Sequence, residues 1–220
     1  MLQPSTIKFL SQLRSNNNKP WFDGHRMEYE KAKEDFLGLV QQILQRSPKF
    51  DKSLENLQPR DCMFRINRDV RFSADKIPYK NNLAAYFNKD GKKGEGAGYY
   101  LHIEPGKSFI GVGIWQPTPD VLAKIRQEID YNLPAFNQIL KKATFKKHFP
   151  GGLSIENKLS RPPKGYEDGN PAIEWLKLKS FIVTCPINDI SIKELGFPKK
   201  IVSIFSAAFP LVSFINKALD

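Results

Sequence analysis

In the opening segment, apolar residues recur at helical spacing, Ile7, Leu10 and Leu13 with Phe9 beside them, as in a helix with one buried face. Pro4, Ser5 and Thr6 supply a start, and the polar run from Ser15 to Lys19 a stop before Pro20. A second helix is expected from Asp23 or Gly24 to Arg46, burying Tyr29, Phe36, Leu37, Val40, Ile43 and Leu44 and closed by Pro48. The connection, residues 16–22, reads as a turn whose Trp21 and Phe22 anchor helix packing. From Asp61 the period drops to two: Cys62, Phe64 and Ile66 alternate with Met63, Arg65 and Asn67, which predicts a half-buried strand. Residues 99–104 and 108–115 predict two more strands, joined by Pro105-Gly106-Lys107 as an antiparallel hairpin. Helices follow over 121–131 and 134–140, and 175–184 reads as a fourth strand. The apolar run 201–215 contains Ser203, Ser206, Pro210 and Ser213 and is shorter than the ~20 residues that a helix needs to cross a bilayer. It predicts a buried helix, bent at Pro210.

Runs of helix at both ends and strands between them predict one α+β domain over residues 1–220, a mostly antiparallel sheet flanked by N-terminal and C-terminal helices. A chain of 220 residues with 40% hydrophobic content can bury a core without staples. Two cysteines make no disulfide framework, so a reducing, cytoplasmic setting is expected. The opening residues lack a basic stretch followed by an apolar one and do not read as a signal peptide.

The charge of +11 suggests nucleic acid until it is divided along the chain. The surplus is +3, +3, +3 and +2 over residues 1–60, 61–100, 101–170 and 171–220, too even for a basic tail. Only Lys141, Lys142, Lys146 and Lys147 cluster, and they fit a helix end, where cations complement the dipole.

What stands out is the order of charge in residues 64–80, FRINRDVRFSADKIPYK. Arg65, Arg68, Arg71, Lys76 and Lys80 alternate with Asp69 and Asp75, and Phe72 and Tyr79 are interleaved. If the chain stays extended, Arg65, Asn67, Asp69 and Arg71 share one face. Guanidinium forks match carboxylate and phosphate oxygens, and neighbouring aspartates hold such forks in place. The segment therefore reads either as an anion pocket or as a salt-bridged network that locks the fold.

These residues resemble the signature of a bacterial and fungal family known as domain of unknown function 2461. The stretch 99–115, the run from Asn17 to Phe22 with Arg26, and Arg161-Pro-Pro-Lys-Gly-Tyr166 resemble it as well. The resemblance implies a single cytoplasmic α+β domain and brings no activity, substrate or catalytic residue with it. Asn67 stands where many relatives carry an aromatic such as Tyr.

Elsewhere the candidates are sparser. His102 and Glu104 share a strand face and are the candidate proton carriers, since histidine and glutamate are the side chains that most often serve as general acid or base. A metal is not expected, since zinc takes three or four ligands and His25 and His148 lie far off in sequence. Gly111-Val112-Gly113 inside a strand marks a bulge or a close backbone approach. The glycine-rich residues 91–98 lack the Gly-Lys-Ser/Thr ending of a phosphate cradle and read as a flexible loop. Cys62 and Cys185 are expected to be inert strand thiols, and no motif calls for a cofactor.

The expected ligand is an anionic small molecule held by Arg65, Arg68, Arg71, Lys76 and Lys80, with Asp69 and Asp75 orienting them. Trp115 lines the adjacent sheet face, and Arg161 and Lys164 close the pocket from a proline-stiffened loop. The alternatives are a nucleic-acid-binding module, stacking bases on Phe72, Tyr79, Tyr99 and Tyr100, and a structural partner-binding domain. No membrane is expected as a partner, and neither the oligomeric state nor the presence of a reaction is fixed.

Overall fold

The structure, a computed structural model, describes residues 1–219. Helix α1, Pro4–Ser15, buries Phe9, Leu10 and Leu13, and Asp35 secures its start by accepting from the Gln3 N–H and the Thr6 hydroxyl. Helix α2, Lys19–Gly24, replaces most of the expected turn, because Asn18 caps it by accepting from the Trp21 N–H at 3.0 Å. Phe22 stacks on Tyr79 at 3.9 Å and Trp21 on Phe9 at 6.0 Å, so the two aromatics are packing anchors as expected. Helix α3, Arg26–Leu44, buries Phe36, Val40, Ile43 and Leu44 of the expected stripe, with Tyr29 and Leu37 half-buried and Ala32 and Leu39 buried as well.

Helix α4, Pro59–Cys62, is a single turn closed by a capping box between Gln58 and Asp61. It occupies the start of the expected strand at residue 62. Beyond it the chain touches strand β1, Leu83–Phe87, only through Met63 opposite Ala85 and the Phe64 N–H on the Ala84 carbonyl. It then leaves the sheet as an arm that folds back on itself, Asn67 opposite Tyr79 and Arg68 N–H to the Pro78 carbonyl. Pro78 has no N–H to return, so the ladder stops there and no continuous strand forms.

Strands β2, Gly98–Ile103, and β3, Phe109–Ile114, form the expected hairpin. Helices α5, Pro119–Tyr131, α6, Leu133–Lys141, and α7, Ala143–His148, follow. Helix α8, Ile173–Leu176, takes the first part of the stretch expected as a fourth strand, with the Asn170 side chain accepting from the Ala172 N–H. Strand β4 is therefore limited to Phe181–Pro186. Helix α9, Asp189–Ile192, leads to α10, Phe197–Lys217, which contains Pro210. At 21 residues α10 is long and apolar enough to cross a bilayer, but here it buries Ile201, Ile204, Phe205, Ala208, Leu211, Val212 and Ile215 in the core.

The four strands form an antiparallel meander in the order β1-β2-β3-β4. Its period of two separates the faces. Leu83, Ala85, Phe87, Tyr99, Leu101, Ile103, Ile110, Val112 and Val183 enter the core, where α10 packs on β3 and α3 on β1. On the opposite face, cross-strand pairing sets Tyr86, Tyr100, Gly111 and Thr184 in one row, and Ala84, His102, Phe109 and Pro186 in the next.

Residues 91–98 are pinned, against the expectation of a flexible loop. The Tyr86 hydroxyl donates to the Gly96 carbonyl at 2.8 Å, and buried Asn88 donates to the Ala97 carbonyl at 2.9 Å. Asn216 of α10 clasps Ala97 at both backbone groups, at 2.7 and 3.1 Å.

Candidate functional site: the cleft on the open sheet face

The open face carries a cleft of about 730 Å³. Its floor includes Gly111 and Gly113, and a side chain at Gly111 would rise into the space. Gly113 is demanded twice over: its φ is +120°, and a Cβ would lie 1.9 Å from the Phe181 carbonyl oxygen. Gly111 differs, since a Cβ there would meet nothing nearer than 3.7 Å. The sequence signal of close backbone approach therefore holds at Gly113, whereas Gly111 simply leaves room. Phe64, Tyr86, Tyr100 and Phe109 wall one end, Trp115 and Val121 the other, and the pinned glycine loop closes a side with Gly94 and Gly96. Ile182 and Thr184 carry the floor to a second, shallower depression bordered by Gly151, Gly152 and Ser154.

Behind the wall lies a hydrogen-bonded row on β2. The ring of His102 stacks on Phe109 at 4.8 Å. Its Nε2 is 3.1 Å from Glu104 and its Nδ1 is 3.0 Å from the Tyr100 hydroxyl. The Asn82 amide lies 3.2 Å from the same Nδ1. A carboxylate only accepts, so Nε2 carries the proton and Nδ1 accepts from Tyr100 and Asn82. His102 and Glu104 are largely buried, with 15% and 17% of their side chains exposed. Burial, then the Glu104 charge, pushes the Tyr100 phenol up to about 12, and burial raises Tyr86 further.

The arm arranges its charges differently from the expected common face. Arg68 is held by Asp75 at 2.8 Å and donates to the Ile77 carbonyl. Arg71 folds back on Asp69 through Nε and Nη2, at 3.0 and 2.7 Å, which lowers the Asp69 carboxyl while Arg71 stays 75% exposed. The Ile77 N–H, followed by Arg68, likewise lowers Asp75. Lys76 donates to the Val70 carbonyl, and Phe72 at the tip is 95% exposed. These four charges and Lys76 stand apart from the cleft.

Two expected site cations behave otherwise. Neither Lys80 nor Arg65 lines the cleft; the Lys80 Nζ lies 5.4 Å from the centre of the ring of Phe64, which does. Burial, then the charge of neighbouring Arg65, lowers its pKa. Among the described residues neither Lys80 nor Arg65 makes a salt bridge. The cation that does line the cleft is Lys92, its Nζ donating to the Arg60 carbonyl at 2.7 Å. Arg161 and Lys164 are exposed and do not line it; their loop lies along α5, where Tyr166 neighbours Asp130 and Arg126.

The rings named for base stacking are also dispersed: Tyr79 and Tyr99 are buried, Tyr99 with its hydroxyl on Asp51 at 2.9 Å. Cys62 is buried at the end of a helical turn, not in a strand, and Cys185 lies on β4. Burial, then the nearby Asp61 charge, pushes the Cys62 thiol up to about 12. Among the described residues no three His, Cys, Asp or Glu side chains converge as metal ligands.

The conserved hypothetical protein family DUF2461 matches residues 5–214, nearly the whole chain, arm and cleft included. The chain belongs to the DUF2461 family. No curated protein and no solved structure matches it. The DUF2461 domain thus carries its cleft on the face of the meander left free by α3 and α10. Of the residues expected on the sheet face, Trp115 lines the cleft, whereas His102 and Glu104 lie behind Tyr100 and do not; the aromatic wall was not expected. Phe64 and Tyr86 were hidden because one opens the arm and the other stands in the alanine-containing strand β1, LAAYF, a weak strand signal.

Proposed function

We propose that this DUF2461 protein binds a small organic anion whose flat apolar body lies on the glycine floor and whose charged group meets Lys80 and Arg65. The observation that carries the reading is the cleft itself: concave, walled by aromatic rings, and shaped by a glycine that its neighbours require. Lys80 and Arg65 support the anionic part. Two adjacent cations without a salt bridge, one of them half-buried, repel each other, and a bound negative charge offsets that repulsion. The remaining basic residues of the arm serve its own shape, through Arg68 with Asp75 and Arg71 with Asp69.

Two fluorescent ligands separate the claims. Anilinonaphthalene sulfonate has a flat aromatic body and one negative charge; N-phenylnaphthylamine has the body alone. Both should bind at one site per chain, and Gly111→Val should abolish both while leaving the melting temperature within a few degrees. Lys80→Ala should weaken the sulfonate about fivefold and leave the uncharged amine unchanged. Equal loss for both ligands in Lys80→Ala would remove the anionic part. Unchanged binding in Gly111→Val would remove the cleft.

A further inference from the structure

We infer that the row Glu104, His102, Tyr100 is a proton relay that makes Tyr100 the general base of the cleft, so that its ligands include weak acids that lose a proton there. This rests on the cleft being a ligand site, and goes beyond it by assigning a reaction class.

The geometry has the connectivity of a carboxylate, imidazole and hydroxyl triad. Glu104 accepts from Nε2 at 3.1 Å, which fixes the tautomer. The opposite nitrogen, Nδ1, then presents a lone pair to the Tyr100 hydroxyl at 3.0 Å. The ring stacks on Phe109 at 4.8 Å, and the Asn82 amide, 3.2 Å from the same nitrogen, shares its one lone pair with the Tyr100 hydroxyl. Alternation on β2 points Tyr100 and His102 to the open face, Glu104 just past the strand meets His102 there, and of the three only Tyr100 borders the cleft. His102 therefore acts through Tyr100, and the relay has one outlet.

In the transfer, an acidic O–H or N–H of the ligand gives its proton to the Tyr100 oxygen while the Tyr100 proton passes to His102 Nδ1. The products are the ligand anion, a neutral phenol and an imidazolium beside the Glu104 carboxylate, with charge conserved. No free phenolate stands at neutral pH, because the phenol is pushed up to about 12 by burial and by Glu104. The coupled shift to His102 removes the need for one. The same coupling makes the Tyr100 oxygen a nucleophile toward an electrophile that fits an apolar cleft.

Phenylmethanesulfonyl fluoride is such an electrophile. The Tyr100 oxygen bonds to sulfur, the sulfur–fluorine bond breaks, fluoride leaves and the phenolic proton goes to His102. Peptide mapping by mass spectrometry should find Tyr100 sulfonylated at least tenfold faster than Tyr131, which is 74% exposed and has no such base. His102→Gln should lower the Tyr100 rate at least tenfold and Glu104→Gln about threefold, both variants still binding N-phenylnaphthylamine. Nitrogen NMR of the unaltered protein should show His102 protonated at Nε2 and bare at Nδ1. Tyr131 reacting as fast as Tyr100, an unchanged rate in His102→Gln, or the opposite tautomer would each overturn the relay. Failure of the wild-type protein to bind N-phenylnaphthylamine would instead defeat the ligand site itself.

Discussion

The arm at residues 64–80 and the cleft beside it reverse what their sequences advertise. The arm is dense in charge, yet Arg71 and Asp69 neutralise each other in open solvent and Arg68 turns to Asp75. The cleft is poor in charge, and its main marks are two glycines and a set of rings. Exposed ion pairs contribute little, because water already screens them and long side chains lose freedom in making them. A concave apolar surface held open against collapse is harder to build, and the collision that a Cβ at Gly113 would make shows that its construction leaves no slack.

Substitutions graded by effect test the contrast. Gly113→Val should cost the most, about 3 kcal/mol or more, by combining a positive φ with a collision against the Phe181 carbonyl; calorimetry that found the variant as stable as wild type would break the comparison at its strongest point. Asn88→Ala should cost about 1 kcal/mol in urea unfolding, since it removes a buried donor from the Ala97 carbonyl beside the cleft and leaves only the Asn216 amide there. The root of the arm should respond to alkali. Cys62 has its thiol raised from 9.0 to about 12, so the unfolded chain releases that proton first and the thiol's contribution to stability is lost as pH rises from about 9 to 12. Cys62→Ala should flatten the fall in melting temperature over that range. Arg71→Ala, at the other extreme, should leave the melting temperature unchanged, because the guanidinium sits in water. A large loss there would mean that the arm is built as tightly as the cleft.

How much of this could be read from the sequence follows from which forces are local. Helices α1, α3 and α5 and the β2–β3 hairpin carry their periodicity within the segment, and they lie where that periodicity put them. The strand expected at Cys62, Phe64 and Ile66 had the right alternation and no second strand long enough to pair with, a fact held by Pro78 twelve residues on from Ile66. Strand β1 was invisible because its alanines fit a pleated surface only when β2 supplies the packing. His102 and Glu104 were legible as neighbours on one face. Their link to Tyr100 needed the position of the rings, and the cleft needed Phe64 and Val121, brought together from distant parts of the chain.

The clasp of Asn216 on Ala97 spans 119 positions of sequence. During synthesis the meander's first three strands emerge long before the residue that fastens the glycine loop beside them. Until α10 is nearly complete, a nascent chain leaves the core face of the meander uncovered, and that apolar surface is open to other chains.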